Sequence, residues 1–96
     1  MTDPGEVVDN VKAQRFELNV DGQVAVLEYD RTAESLALVH TEVPPELRGH
    51  HIGERLVVAA LDSARAAGLR IVAVCPFVRE YLRRHPPDSA PSSNVQ

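Results

Sequence analysis

From Val11 to Val20 apolar and polar residues alternate, with Phe16, Leu18 and Val20 on one side, and a second alternation carries Val24 and Val26 on to Glu28. A period of two is that of a strand with one buried face. Asp21-Gly22 stands between the two runs, and an Asp-Gly link suits a hairpin whose two turn residues need positive φ. Asp30 to Glu34 reads as a second turn. Ser35 to Val43 reads as a third strand, with Leu36, Leu38 and His40 on one face and Ala37, Val39, Thr41 and Val43 on the other. Links this short predict a meander of three antiparallel strands. Pro44-Pro45 closes it, because neither residue can donate to a ladder.

After Arg48-Gly49 the period lengthens to that of a helix. Ile52, Leu56, Ala60, Ala64 and Ala67 fall on one stripe with Val57 and Leu61 beside it, while Glu54, Arg55, Asp62 and Arg65 take the wetter side. Gly68 supplies a left-handed residue to end the helix, and Leu69 can fold back on it. Leu69 to Val74 is a short, nearly continuous apolar run, the pattern of a buried strand. Pro76 suits the start of a second helix over Phe77 to Arg84, with Phe77, Tyr81 and Leu82 spaced for its inward face, and His85-Pro86-Pro87 stops it. The predicted order is βββαβα. A strand, a helix and a second strand form a right-handed parallel unit, so the expected class is α+β, with a mixed, mostly antiparallel sheet and helices packed on it. The folded domain is expected over residues 11–87, between a flexible N-terminus (1–10) and a disordered polar tail (88–96).

Composition narrows the function. Ninety-six residues suffice for one small domain, and with 4% aromatics the core has to be built from Val, Leu, Ile and Ala. The formal charge is −4 without a Lys/Arg run, which argues against nucleic acid as a partner. A single cysteine, Cys75, excludes an internal disulfide. Asp3, Glu6 and Asp9 in the first ten residues, and the lack of a long apolar span, point to a soluble cytoplasmic protein with no membrane partner.

The chemistry centres on Arg48-Gly49-His50-His51-Ile52-Gly53. A strand ending in prolines, a turn with Arg and Gly, and then a helix make a site for an anion. The first helical N–H groups lack internal partners and the dipole is positive there. Gly49 and Gly53 allow close approach to the main chain, and Arg48 can add a charged fork to a phosphate.

The segment Val43-Pro44-Pro45-Glu46-Leu47-Arg48-Gly49-His50-His51-Ile52-Gly53-Glu54-Arg55-Leu56 resembles motif A of the GNAT superfamily of acetyl-CoA-dependent N-acetyltransferases, whose pattern is Q/R-x-x-G-x-G/A. Val74-Cys75-Pro76-Phe77-Val78-Arg79-Glu80-Tyr81, with His85-Pro86 behind it, is similar to the ending of the compact stand-alone YjdJ-type GNAT-like proteins. The resemblance spans roughly residues 11–87 and implies a compact GNAT-like fold. It implies a small N-acetyltransferase that passes acetyl from acetyl-CoA directly to an amine or protein acceptor. A non-catalytic acyl-CoA-binding or protein-interaction module with the same fold is the alternative. By the same resemblance Thr41, Glu42 and Val43 face the pantetheine arm, and Arg48, Gly49, His50, His51, Ile52, Gly53 and Glu54 surround the pyrophosphate. The chain departs from the pattern at His51, where a glycine is expected.

Three residues are the leading candidates for catalysis. Cys75 falls between a strand end and a helix N-terminus, a placement that lowers a thiol's pKa; the plain alternative is a small buried hydrophobe. In the resembling subgroup this cysteine is a proposed catalytic residue. His40 can act as a general base near neutral pH or be a hydrogen-bonded core histidine. Glu42 can take the amine's proton or be an edge carboxylate in water. Tyr81 could protonate the departing thiolate, although its spacing from Phe77 suits packing. Adjacent His50 and His51 make a poor metal pair, so no metal site is expected. An open acceptor side would suit a large acceptor such as a protein, or a homodimer that completes the site.

Overall fold

The computed structural model of the chain describes residues 6–85, so the predicted tail over 88–96 lies outside them. Five strands and two helices follow one another: β1 (Val8–Asn10), β2 (Arg15–Val20), β3 (Gln23–Arg31), β4 (Ser35–Glu42), α1 (Ile52–Ala67), β5 (Arg70–Ala73) and α2 (Pro76–Arg84), with a 3-10 turn over Pro45–Leu47. The sheet runs β1-β2-β3-β4-β5. Its first four strands are antiparallel, and β5 lies parallel to β4 after the α1 crossover. The mixed sheet and the βαβ ending agree with the sequence pattern.

The Asp-Gly hairpin forms as its chemistry requires. Asp21 and Gly22 take φ of 53° and 84°, and the Gly22 N–H donates to Asn19 Oδ1 at 3.1 Å. Gly68 caps α1 at φ 72°, with Leu69 N–H on the Ala64 carbonyl and Gly68 N–H on that of Arg65, which is a Schellman ending.

Five elements differ from the sequence reading. The first expected strand splits, because Val11–Gln14 turns back with Val11 69% exposed, and Val8–Asn10 pairs ahead of it as β1. Three residues carry no visible alternation, and polar contacts fasten them: Tyr29 Oη donates to Asp9 Oδ1 at 2.7 Å and Asn10 Nδ2 to Glu17 Oε2 at 3.0 Å. The second strand runs past Glu28 to Arg31, and the Thr32 hydroxyl accepts the Ser35 N–H at 3.0 Å to make the turn. β5 is an edge strand rather than a buried one: Ile71 and Ala73 pack against the core, while Val72 and Val74 are 39% and 48% exposed. An apolar run alone cannot separate these two cases. On the helices, Ala67 is exposed at the capped end of α1, and Val78, not Phe77, is the residue of α2 that is fully buried.

The core lies on one face of the sheet. Phe16, Leu18, Ala25, Leu27, Leu36 and Leu38 meet Ile52, Leu56, Val57, Ala60 and Ala64 of α1, with Val78 from α2. Each fully buried Leu or Val there contributes roughly 1.5–3 kcal/mol. The alternate residues, among them Asn19, Val24, Glu28, Asp30 and Val72, form an exposed second face, so the fold has two layers. Among the described residues no helix is long and apolar enough to cross a membrane.

Candidate active site

The site begins with an irregularity in β4. Tyr29 pairs with Leu38 and Glu28 with His40, which leaves Val39 as an extra residue with no partner on β3. Such a bulge reverses the alternation beyond it. Thr41 therefore lies opposite buried Leu27 on the core side, and His40 and Glu42 lie opposite Glu28 and Val26 on the exposed side. The expected placement of His40 beside Leu36 and Leu38 is thus corrected by one inserted residue. β5 leaves β4 at the same level. Their last pair is Leu38 with Ala73, and the N–H groups of Val74 and Cys75 both donate to the Leu38 carbonyl, at 3.0 and 2.9 Å. Past Leu38 one edge of β4 has no strand against it among the described residues.

Cys75 caps α2 at its N-terminus and is 4% exposed. Its Sγ is 3.4 Å from Thr41 Oγ1. Burial pushes the thiol up, but the Thr41 hydroxyl and the backbone groups of Val78, Phe77 and Thr41 outweigh it and hold the thiol below its ordinary range. On the other face of β4, His40 Nε2 is 3.3 Å from Glu42 Oε1, with both side chains more than half exposed. The three catalytic candidates therefore fall into two groups separated by the strand, Cys75 with Thr41 inside and His40 with Glu42 outside.

The turn after β4 is anchored from within. Leu47 is buried, and Arg48 Nε donates to the Val43 carbonyl at 3.0 Å, drawing the turn onto the strand end. Gly49 has φ 85° with open space where a β-carbon would point. His51, the N-cap of α1, is also left-handed, at φ 62°, which explains why a glycine is expected there; a side chain in this region costs on the order of 1 kcal/mol. Its imidazole is turned aside, with Nδ1 2.8 Å from Glu54 Oε1. The Arg55 N–H donates to the His51 carbonyl, so the N–H groups of Ile52, Gly53 and Glu54 precede the first helical bond and have no acceptor within the helix. With the dipole they make this end of α1 attractive to an anion.

Between the strand end and this turn lies a cleft of about 660 Å³, lined by His40, Thr41, Glu42, Val43, Leu47, Arg48, Gly49, His51, Ile52, Gly53, Glu54 and Phe77. Its volume lies within the range of small-molecule sites. Most of the predicted site thus gathers on one cavity. His50 stays on the exposed outer side of the turn, and Cys75 lies outside the lining. Tyr81 borders a separate groove with Glu6 and Val58 and stacks on His85 at 4.5 Å between ring centroids. Leu47 and Phe77 are the lining residues that sequence reasoning missed. Leu47 gave no signal, and the helical spacing of Phe77 pointed to packing rather than to a cleft wall. Among the described residues no three His, Cys, Asp or Glu side chains gather as a metal ion would require.

A family profile described as GCN5-related N-acetyl-transferase matches residues 15–90 of this chain. Protein NATD1 of Xenopus tropicalis is 31% identical to it over 78 residues, which make up 78% of this chain and 72% of that protein. Protein NATD1 of Danio rerio is 30% identical over 78 residues, 78% of this chain and 71% of that protein. The profile match begins at the first residue of β2 and so leaves β1 outside it.

Proposed function

The chain belongs to the GCN5-related N-acetyltransferase family, and on that premise we propose that it passes an acetyl group from acetyl-CoA directly to an amine. The observation that carries this reading is the continuity of the cleft, which runs from the unbonded amides of α1 to the end of β4 beyond the point where β5 departs. The residues present suit the donor. Ile52, Gly53 and Glu54 offer N–H groups, and Arg48 a guanidinium, to a pyrophosphate, while Thr41, Glu42 and Val43 offer a strand edge to an amide-bearing arm.

In the reaction the amine nitrogen attacks the thioester carbonyl carbon, the C–S bond breaks to release coenzyme A as its thiolate, and the amine's proton passes to the protein. His40 and Glu42 are in contact with each other at the cleft's exposed edge, and Glu42 is the base we assign, with His40 beside it to relay the proton. Main-chain N–H groups at a strand end can polarise the carbonyl in such a reaction. Cys75 is buried behind Thr41 and outside the cleft lining, which favours direct transfer over an acetyl-cysteine intermediate.

Acetyl-CoA is expected to shift the amide signals of Arg48 to Glu54. Acetylation of a panel of amines and basic peptides should then fall roughly 100-fold in Glu42→Gln, at the low end for loss of a general base, and much less in Cys75→Ala. Amide shifts without turnover on any acceptor would leave a binding module, and no shifts at all would remove the reading altogether.

A further inference from the structure

Gly53 sits one residue inside α1, in a helical position where no left-handed conformation calls for glycine, and glycine is the poorest of the ordinary helix formers. It is buried, and what buries it comes from α2. A β-carbon built on Gly53 would lie 2.9 Å from Phe77 Cζ, 3.1 Å from Phe77 Cε2 and 3.6 Å from Val43 Cγ2. The first two distances are closer than packed carbon atoms approach. The Phe77 ring therefore fills the place that a side chain at position 53 would take. The rest of the ring is not covered: Phe77 is 41% exposed, and it lines the cleft beside Val43 and Ile52.

We infer that Phe77 is a donor-binding wall of the cleft, seated on Gly53, and that Gly53 lacks a side chain to make room for this ring rather than for a phosphate. The inference rests on the acetyl-CoA reading given above. Its chemistry follows from position. The ring meets Gly53 in the first turn of α1, whose amides suit a pyrophosphate, and lies close to Val43 at the end of β4, where the thioester arm has to pass. An aromatic face with Val43, Leu47 and Ile52 around it suits the methylene and amide groups of a pantetheine arm and offers nothing to a phosphate. The ring tip makes the close contact, so a β-carbon at position 53 would swing Phe77 outward and narrow the cleft while α1 stays intact.

The test is a double-mutant cycle between Gly53→Ala and Phe77→Leu, read by calorimetric titration with two probes. Coenzyme A carries the arm, and adenosine 3′,5′-bisphosphate lacks it. Phe77→Ala should weaken coenzyme A roughly ten-fold, as expected for one lost aromatic contact, and leave the bisphosphate unchanged. Gly53→Ala should weaken coenzyme A by a similar factor when Phe77 is present and by little when residue 77 is Leu. Circular dichroism of each variant confirms that it is folded, which the exposure of Phe77 makes the expected result. Additive losses in the cycle, or a Phe77→Ala variant that loses the bisphosphate as much as coenzyme A, would overturn the role of Phe77. Wild-type protein that binds neither probe would instead overturn the acetyl-CoA reading on which the inference rests.

Discussion

Tyr29→Phe removes a single oxygen, which fastens β1 to β3. The ring itself stays packed: Tyr29 is 6% exposed and meets Phe16 at 5.1 Å between centroids, so the substitution leaves no cavity and no buried donor without a partner. What is lost is the 2.7 Å bond from Tyr29 Oη to Asp9 Oδ1. A hydrogen bond to a carboxylate contributes roughly 1.5–3 kcal/mol. Asp9 is exposed and returns to water when released, so the expected loss is about 1–2 kcal/mol, at or below the low end of that range. The loss should be local first, since β1 has three residues and is otherwise held by its pairing with β2 and the Asn10–Glu17 hydrogen bond.

The same bond sets a pH signature. Burial, then the hydrogen bond and charge of Asp9, push the Tyr29 hydroxyl up to about 12, against a smaller pull from Arg31. An unfolded tyrosine releases its proton near pH 10, roughly two units earlier. Above that point the unfolded chain binds fewer protons than the folded one, so stability falls as pH rises. The contribution of Tyr29 is fully present below about pH 10 and is lost on the way to about pH 12. Urea unfolding of both proteins at neutral pH and at pH 11, with hydrogen exchange over 8–10 and 15–17, measures it. The gap between wild type and Tyr29→Phe should narrow at the higher pH. A neutral-pH difference under about 0.5 kcal/mol with unchanged exchange, or a gap that widens above pH 10, would refute the argument.

His51→Gly relieves a left-handed side chain, worth about 1 kcal/mol, but adds unfolded-state entropy of about 0.4–1 kcal/mol and loses the exposed Glu54 contact. Its urea midpoint should stay close to wild type, whereas His51→Ala keeps the β-carbon at φ 62° and should fall no more than about 0.6 kcal/mol below the glycine variant once the same entropy is counted. Val78→Ala opens a cavity under α2 at its one fully buried residue, a loss of about 2 kcal/mol that a thermal melt should show as a drop of several degrees. Alkylation of Cys75 should have its pH midpoint below that of an ordinary thiol, and Thr41→Val should move it back up by removing the hydroxyl 3.4 Å from Sγ.

How far the chain can be read in advance depends on how each feature is encoded. The β2–β3 hairpin and the end of α1 were legible because Asp21-Gly22 and Gly68-Leu69 specify local backbone geometry. The turn from Arg48 to Gly53 was legible as a turn for the same reason, and apart from His50 its residues line the cleft. β1 was hidden because Asp9 and Asn10 are fastened through side chains to Tyr29 and Glu17, contacts that carry no period. Phe77 was misread because an aromatic at helical spacing looks the same whether it faces a core or a cleft. The edge position of β5 was invisible too, since Val72 and Val74 would be equally at home under another layer.

The extra residue in β4 decides how the proposed chemistry is laid out. Without it, strict alternation would put His40 on the core side with Leu36 and Leu38, and Thr41 on the exposed side, out of reach of Cys75. With Val39 inserted, the Thr41 hydroxyl reaches the Cys75 thiol, and His40 and Glu42 stand together on the exposed side where both border the cleft. The core side of the strand end is closed by Thr41, Cys75 and Val78, so on the proposed reaction the amine approaches over the exposed face and meets Glu42 first. Cys75 is then left to act through Thr41, by fixing the strand end, and not as a nucleophile. Cys75→Ala and Thr41→Val should accordingly lower turnover by similar, modest factors, and the double variant should be little worse than either, because both remove the one contact between Thr41 and Cys75. Loss of all turnover in Cys75→Ala with Thr41→Val nearly unaffected would reverse that assignment and make the thiol the acetyl carrier.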